Sequence, residues 1–274
     1  MSKTDPKDAK KVFRKLGTCS RTFSFLLNRE FGASKEIEEC AADSLAGGIM
    51  QQGQQCGMLW GSALAVGAEA YRQCKDLNQA MQVAIIATQH VMNSFSKREN
   101  TINCREITHC DFSSKLSFVK YFFSGRFFYC FKLAEQWAPD AIKSAIDGLS
   151  SHPDSPPEGS INCASEIARK MGASDEEMVM VAGFAGGLGL SGGGCGALSA
   201  AIWMKSIEWC KENGEKSSFK NPNATWVLKS FQEMFGSKIL CSEISGQEFN
   251  TRKDHSDFIE NGGCQKLLSV LSQT

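Results

Sequence analysis

An all-α fold of two tandem helical-bundle modules, related by internal duplication about a pseudo-twofold axis, is the architecture that this 274-residue sequence predicts. Three observations carry that expectation. Segments such as "AMQVAIIATQHVMNSF" and "LSAAIWMKSIEWCKEN" space apolar residues at helical intervals among good helix formers, and no segment alternates as a strand would. The chain repeats itself over more than a hundred residues. Between the copies lies "GLSSHPDSPPEGS", residues 148–160, whose prolines, serines and glycines read as a linker.

The expected modules are residues 1–150 and 156–274, divided near residue 155, each a bundle of about five helices. The basic start "KTDPKDAKKVFRK" reads as a solvated helix face. Then "GASKEIEECAADSLAGGIMQQGQQCGML" (32–59) and "GASDEEMVMVAGFAGGLGLSGGGCGAL" (172–198) share an order. Each runs from Gly-Ala-Ser through an acidic helical turn and a Gly-Gly pair to Cys-Gly. Ser174 with Glu177 three residues on is a capping box, whereas Ser34 has Ile37 in place of the acid. "FSKRENTINCREITHCDF" parallels "FGSKILCSEISGQEF", and "GTCSRTFSFLLNREFGAS" parallels "INCASEIARKMGAS". The most apolar stretch, "FVKYFFSGRFFYCF" (118–131), reads as a core helix, with a membrane-surface or partner face as the alternative. Asp254 and Asp257 mark a helix start, and Trp60 and Trp203 read as core.

Four cysteines pair across the copies: Cys19 with Cys163, Cys56 with Cys195, Cys104 with Cys241, and Cys130 with Cys264. Their offsets of 144, 139, 137 and 134 residues shrink gradually, as small loop deletions would produce. The run "GLSGGGC" is too glycine-rich for a helix interior, and helical character resumes after it. Cys195, and by repetition Cys56, therefore falls at a helix N-terminus. There the dipole and unpaired N–H groups favour a thiolate. Cys40, Cys74, Cys110 and Cys210 have no counterpart in the other copy and read as small buried hydrophobes.

Bulk properties narrow the chemistry. Hydrophobic residues make up 42% and charged residues 22%, and thirty basic side chains balance thirty acidic ones. That balance gives no footprint for nucleic acid. No export signal or membrane-spanning run is visible, so a cytoplasmic setting is expected. In a reducing compartment, twelve cysteines point to metal binding, an iron–sulfur site or thiol redox chemistry rather than structural disulfides. The four histidines are scattered: His90 within a helical segment, His152 in the linker, and His109 and His255 at different distances from their cysteines.

In combination, "INCASEIA", "GFAGGLGLSGGGCGALSAA", "FGSKILCSEISG" and "GGCQKLL" resemble the C_GCAxxG_C_C family of redox-active proteins. The second copy looks like a full member from about residue 158 to 271, and the first a diverged one from about 12 to 137. Some family members are similar to selenoproteins. The fold is similar to part of the split-Soret cytochromes, whose cysteines are thought to hold an iron–sulfur centre. No Cys-x-x-Cys-His is present, so covalent haem is not expected.

Four readings follow. The first is an electron-transfer protein with one iron–sulfur cluster per module, held by Cys163, Cys195, Cys241 and Cys264 and by Cys19, Cys56, Cys104 and Cys130. The second is metal-free thiol–disulfide chemistry with Cys195 and Cys56 as reactive thiols and Cys163 or Cys241 resolving. The third is a structural zinc site, although the close ligand pairs usual for zinc are absent. The fourth is a non-catalytic interaction module, for example with a membrane transporter. The redox partner and the oligomeric state are left open.

Overall fold

The computed structural model describes residues 8–112, 114–151, 161–214, 219 and 221–274. Most of the linker, the expected division near residue 155 and His152 lie outside the described residues. Those residues contain fifteen α-helices and no strand. The first module holds α1 (Ala9–Leu16), α2 (Cys19–Phe31), α3 (Glu36–Ala41), α4 (Gly57–Gln73), α5 (Leu77–Ser96), α6 (Cys104–Thr108), α7 (Lys115–Phe123) and α8 (Arg126–Leu149). The second holds α9 (Cys163–Lys170), α10 (Asp175–Ala182), α11 (Gly196–Asn213), α12 (Pro222–Phe235), α13 (Cys241–Ser245), α14 (Arg252–Glu260) and α15 (Gln265–Leu271).

From α2 onward the helices correspond one to one, α2 with α9 through α8 with α15. The expectation of about five per module is corrected upward. Short helices follow the third cysteine of each copy, and left-handed Gly125 breaks the 118–131 segment. That break also corrects its reading as a core helix. None of the residues of α7 is buried, and Phe122, Phe123 and Phe128 face solvent. The inner side of the same segment, through Tyr121, Phe127 and Phe131, lines a cavity described below.

Helix starts follow local chemistry. Ser174 caps α10 and forms the full capping box with Glu177. Thr251 and Asp254 form a second box at α14. Ser34 caps nothing: α3 begins after Lys35, with no side-chain cap.

The modules exchange neighbours. Helix α10 of the second packs on α4 and α5 of the first, and α3 of the first packs on α11 of the second. This is the reciprocity of a twofold dimer interface, realised within one chain. Small residues permit it. A Cβ on Gly67 in α4 would lie 2.5 Å from the Cα of Met180 in α10. Across the same seam the ring of Trp60 meets Phe184 edge-on at 4.8 Å. Trp60 and Trp203 are fully buried, as expected.

Gly67→Ala overpacks a helix contact that has no room for a methyl group, a change of about 1–3 kcal/mol. A melting experiment is expected to show Tm lowered by several degrees; an unchanged Tm would mean that this seam yields freely.

Candidate functional site

Each cysteine site begins with backbone. Residues 47–51 (Gly47, Gly48, Ile49, Met50, Gln51) all have positive φ, between 47° and 73°. Residues 186–190 (Gly186, Gly187, Leu188, Gly189, Leu190) do the same, between 57° and 81°. Five successive residues thus turn left-handed in each copy. The left-handed region costs a non-glycine residue roughly 1–2 kcal/mol, and residues usually visit it singly. Here it requires the glycines: a Cβ on Gly48 would lie 2.3 Å from the backbone of Gln54, and one on Gly187 would lie 2.6 Å from that of Gly193.

The turn delivers the chain to the second cysteine in a fixed register. Cys56 N–H donates to the Ile102 carbonyl at 2.7 Å, and Cys104 N–H to that of Gln54 at 2.7 Å. The second copy repeats the pattern, from Cys195 to Ile239 at 2.8 Å and from Cys241 to Gly193 at 2.6 Å. These two-residue bridges, Gln55 with Asn103 and Gly194 with Leu240, hold the second and third cysteines side by side. Both then start helices: Cys56 and Cys195 are the N-caps of α4 and α11, while Cys104 and Cys241 open α6 and α13. Cys19 and Cys163 open α2 and α9.

In the first module all four cysteines line one cavity of about 400 Å³. Its remaining wall is mainly apolar and aromatic, including Phe13, Met58, Phe112, Tyr121 and Phe127. The Tyr121 hydroxyl lies 3.5 Å from Cys130 Sγ. In the second module the four thiols fall within electrostatic range of one another, Cys163 sensing Cys195 and Cys264, and Cys241 sensing Cys163 and Cys264. Cys19, Cys56, Cys104 and Cys130 thus share the wall of one cavity. Among the described residues, no three or more His, Cys, Asp or Glu side chains gather on a single point as a ligand set for one metal ion.

A family model described as "Putative redox-active protein (C_GCAxxG_C_C)" matches the chain twice, over residues 18–138 and 160–273. The chain belongs to this family. It carries the family module in tandem. No curated protein and no solved structure matches the chain.

Electrostatics distinguishes the cysteines of this family member. Cys19 is held below the ordinary cysteine value, chiefly because the Cys56 thiol hydrogen-bonds to it. The N–H groups of Gly47, Cys19 and Ser20 add to this, against the cost of burial. Gly57 makes the approach possible, since a Cβ there would lie 2.5 Å from Cys19 Sγ. The same hydrogen bond, with burial, pushes Cys56 well above its ordinary value. Burial pushes Cys195 up as well, outweighing the N–H groups of Leu198 and Ala197. The expectation of low-pKa thiols at Cys56 and Cys195 is therefore corrected. The helix N-termini are present, but desolvation of a buried thiolate exceeds what they return. Burial also raises Cys104, Cys163, Cys241 and Cys264, and lifts Cys130 to about 11.

Sequence reasoning missed three contributors. Asp43, fully buried, accepts a hydrogen bond from Thr18, the N-cap residue before Cys19. Tyr121 flanks Cys130. Gln55 reaches into the second module: its amide donates to the Gly187 carbonyl at 2.7 Å and accepts from Gly194 N–H at 2.9 Å. None has an equivalent residue in the other copy, so the repeat could not flag them. His109 is exposed and His90 half-buried. His255 is buried against Phe249, beside the turn at Gly186.

Two outcomes follow. With metal-free protein, iodoacetamide is expected to label Cys19 faster than any other repeat cysteine, with a rate midpoint below the ordinary thiol value. Cys56→Ala should move that midpoint upward; equal rates at Cys19 and Cys163 would contradict the assignment. His255, whose pKa burial lowers from 6.5 to about 4, is neutral in the fold. The unfolded chain binds the extra proton between those values, so stability falls as pH drops from 6.5 toward 4, by roughly 3 kcal/mol. Melting curves of wild type and His255→Gln across that window should converge at low pH; parallel curves would refute the linkage.

Proposed function

We propose that each module is a one-electron redox centre whose four repeat cysteines hold an iron–sulfur cluster, and that the protein passes electrons between partners. The observation that supports this most is the cavity of about 400 Å³ with Cys19, Cys56, Cys104 and Cys130 in its wall. Four thiols from distant segments, spread around a void, suit a group larger than a single ion. Four thiolates are the ordinary complement of such a cluster. The donor set fits in kind as well, since among the described residues the wall offers no histidine or carboxylate in competition.

When bound, a cluster supplies a reversible one-electron couple. The protein's own part is the rest. The left-handed turns and the two-residue bridges fix the second and third thiols. The N–H groups of Gly47 and Gly186 face the first. The apolar wall of Phe13, Met58 and Phe127 excludes water, which shifts potential through the local dielectric. Cysteines raised by burial must lose their protons on loading, so cluster assembly releases acid. The proposed units are residues 1–150 and 156–274, the setting is the cytoplasm, and the partner is an electron donor or acceptor.

A second reading rests on the Cys19–Cys56 pair. With Cys19 as the attacking thiolate and Cys56 as the resolving thiol, the first module can exchange disulfides without metal. It would convert a partner disulfide into two thiols and close its own disulfide.

Anaerobic purification followed by an absorption spectrum and iron, sulfide and zinc analysis tests both. The expected result is visible absorption with iron and sulfide in comparable amounts, and about half of each retained in Cys56→Ser and in Cys195→Ser. Colourless, metal-free protein would overturn the cluster and leave the dithiol, whereas stoichiometric zinc would overturn both.

A further inference from the structure

Two cysteines that the repeat leaves unmatched meet each other. Cys40 lies in α3 of the first module and Cys210 in α11 of the second, and their Sγ atoms are 2.8 Å apart. They are separated by 170 residues in the chain, and both are buried, at 1% and 2% exposure. Their seam is held from both sides. Trp203 on α11 donates its indole N–H to the Glu38 carbonyl of α3 at 3.1 Å. Lys35, just before α3, pairs with Glu176 of α10 at 2.7 Å. The sulfur separation exceeds a disulfide bond by roughly 0.8 Å, so closure needs little movement.

We propose that Cys40 and Cys210 are a reversible thiol–disulfide pair that staples the first module to the second, with a hydroperoxide as the oxidant. The pair includes none of the eight repeat cysteines and does not depend on their chemistry.

Burial selects the oxidant. A protein disulfide is too large to reach either sulfur, whereas hydrogen peroxide is small and uncharged. Access comes through α3, a six-residue helix without a side-chain cap, the kind of element that opens locally. One sulfur, deprotonated, attacks a peroxide oxygen. The O–O bond breaks, giving a sulfenic acid and hydroxide, which takes up the first thiol proton as water. The second sulfur, giving up its proton, attacks the sulfenic sulfur. The S–O bond breaks, the S–S bond forms, and hydroxide leaves as the second water. Two thiols have lost two electrons and two protons, and one peroxide has become two waters. A dithiol reductant reverses the bond by exchange. The closed loop is long, the class for which cross-linking constrains the unfolded chain most.

The test uses the full chain, with or without a bound cluster. Folded protein is treated with hydrogen peroxide, alkylated under denaturing conditions and digested, and the peptides are mapped by mass spectrometry. The expected product joins the Cys40 peptide to the Cys210 peptide, two hydrogens lighter than the pair, and disappears with dithiothreitol. Oxidised wild type should melt at a higher temperature than reduced. Cys40→Ala and Cys210→Ala should lose both the linked peptide and that shift. Recovery of Cys40 and Cys210 as separately alkylated peptides, or joined to other cysteines, would overturn the proposal. Should either variant fail to fold, the wild-type map decides alone. Because the readout is the Cys40 and Cys210 peptides, its failure is distinct from any loss of iron at the repeat cysteines.

Discussion

A run of five left-handed residues is the constraint from which each cysteine site is built. Gly47 opens the first turn and offers its N–H to Cys19. The chain leaving it pairs with the segment before Cys104 and then reaches Cys56. One strained turn therefore gathers three of four thiols, and the turn at 186–190 does the same for Cys163, Cys195 and Cys241. Strain of this kind persists only where surroundings over-determine it. Here the surroundings are backbone hydrogen bonds that close each turn, from Gly53 to Gly47 and from Gly192 to Gly186, each 2.9 Å. The apolar side chains inside the turn, Ile49 and Leu188, are fully buried. Burial of the turn and its conformational strain thus oppose each other at the same residues.

The fourth cysteine stands outside this symmetry. Cys130 lies in the first turn and a half of long α8, beside Tyr121. Cys264 instead sits in a left-handed conformation just before α15. The helices preceding them differ in kind. Helix α14 is polar and buries one face through His255, Ser256 and Ile259, whereas α7 is aromatic and buries no residue. Three thiols form a repeated scaffold, and the fourth is carried by the part of each module that has diverged most.

Much of this was legible in the sequence. Repeated cysteines with matching flanks gave the tandem module that the family match spans, and the Ser174–Glu177 box located a helix start to the residue. What stayed hidden has physical reasons. The first left-handed turn carries Ile49, Met50 and Gln51, side chains that announce no such conformation. The choice of Cys19 over Cys56 as the favoured thiolate depends on a thiol–thiol hydrogen bond and on burial, neither of which spacing encodes. Gln55, Asp43 and the meeting of Cys40 with Cys210 all arise from tertiary contacts between segments with no common pattern.

Gln55 has a consequence for why the module is duplicated within one chain. Its counterpart in the second copy is Gly194, and the glutamine side chain fills the space beside that glycine; a Cβ on neighbouring Gly193 would lie 1.7 Å from its amide nitrogen. Two identical subunits would have to present two glutamines to this place, which clash, or two glycines, which leave the polar backbone of both turns unserved. A fused pair escapes that symmetry. One half supplies the plug and the other the socket, a pairing of unlike residues across a pseudo-symmetric seam that a single shared sequence could not provide.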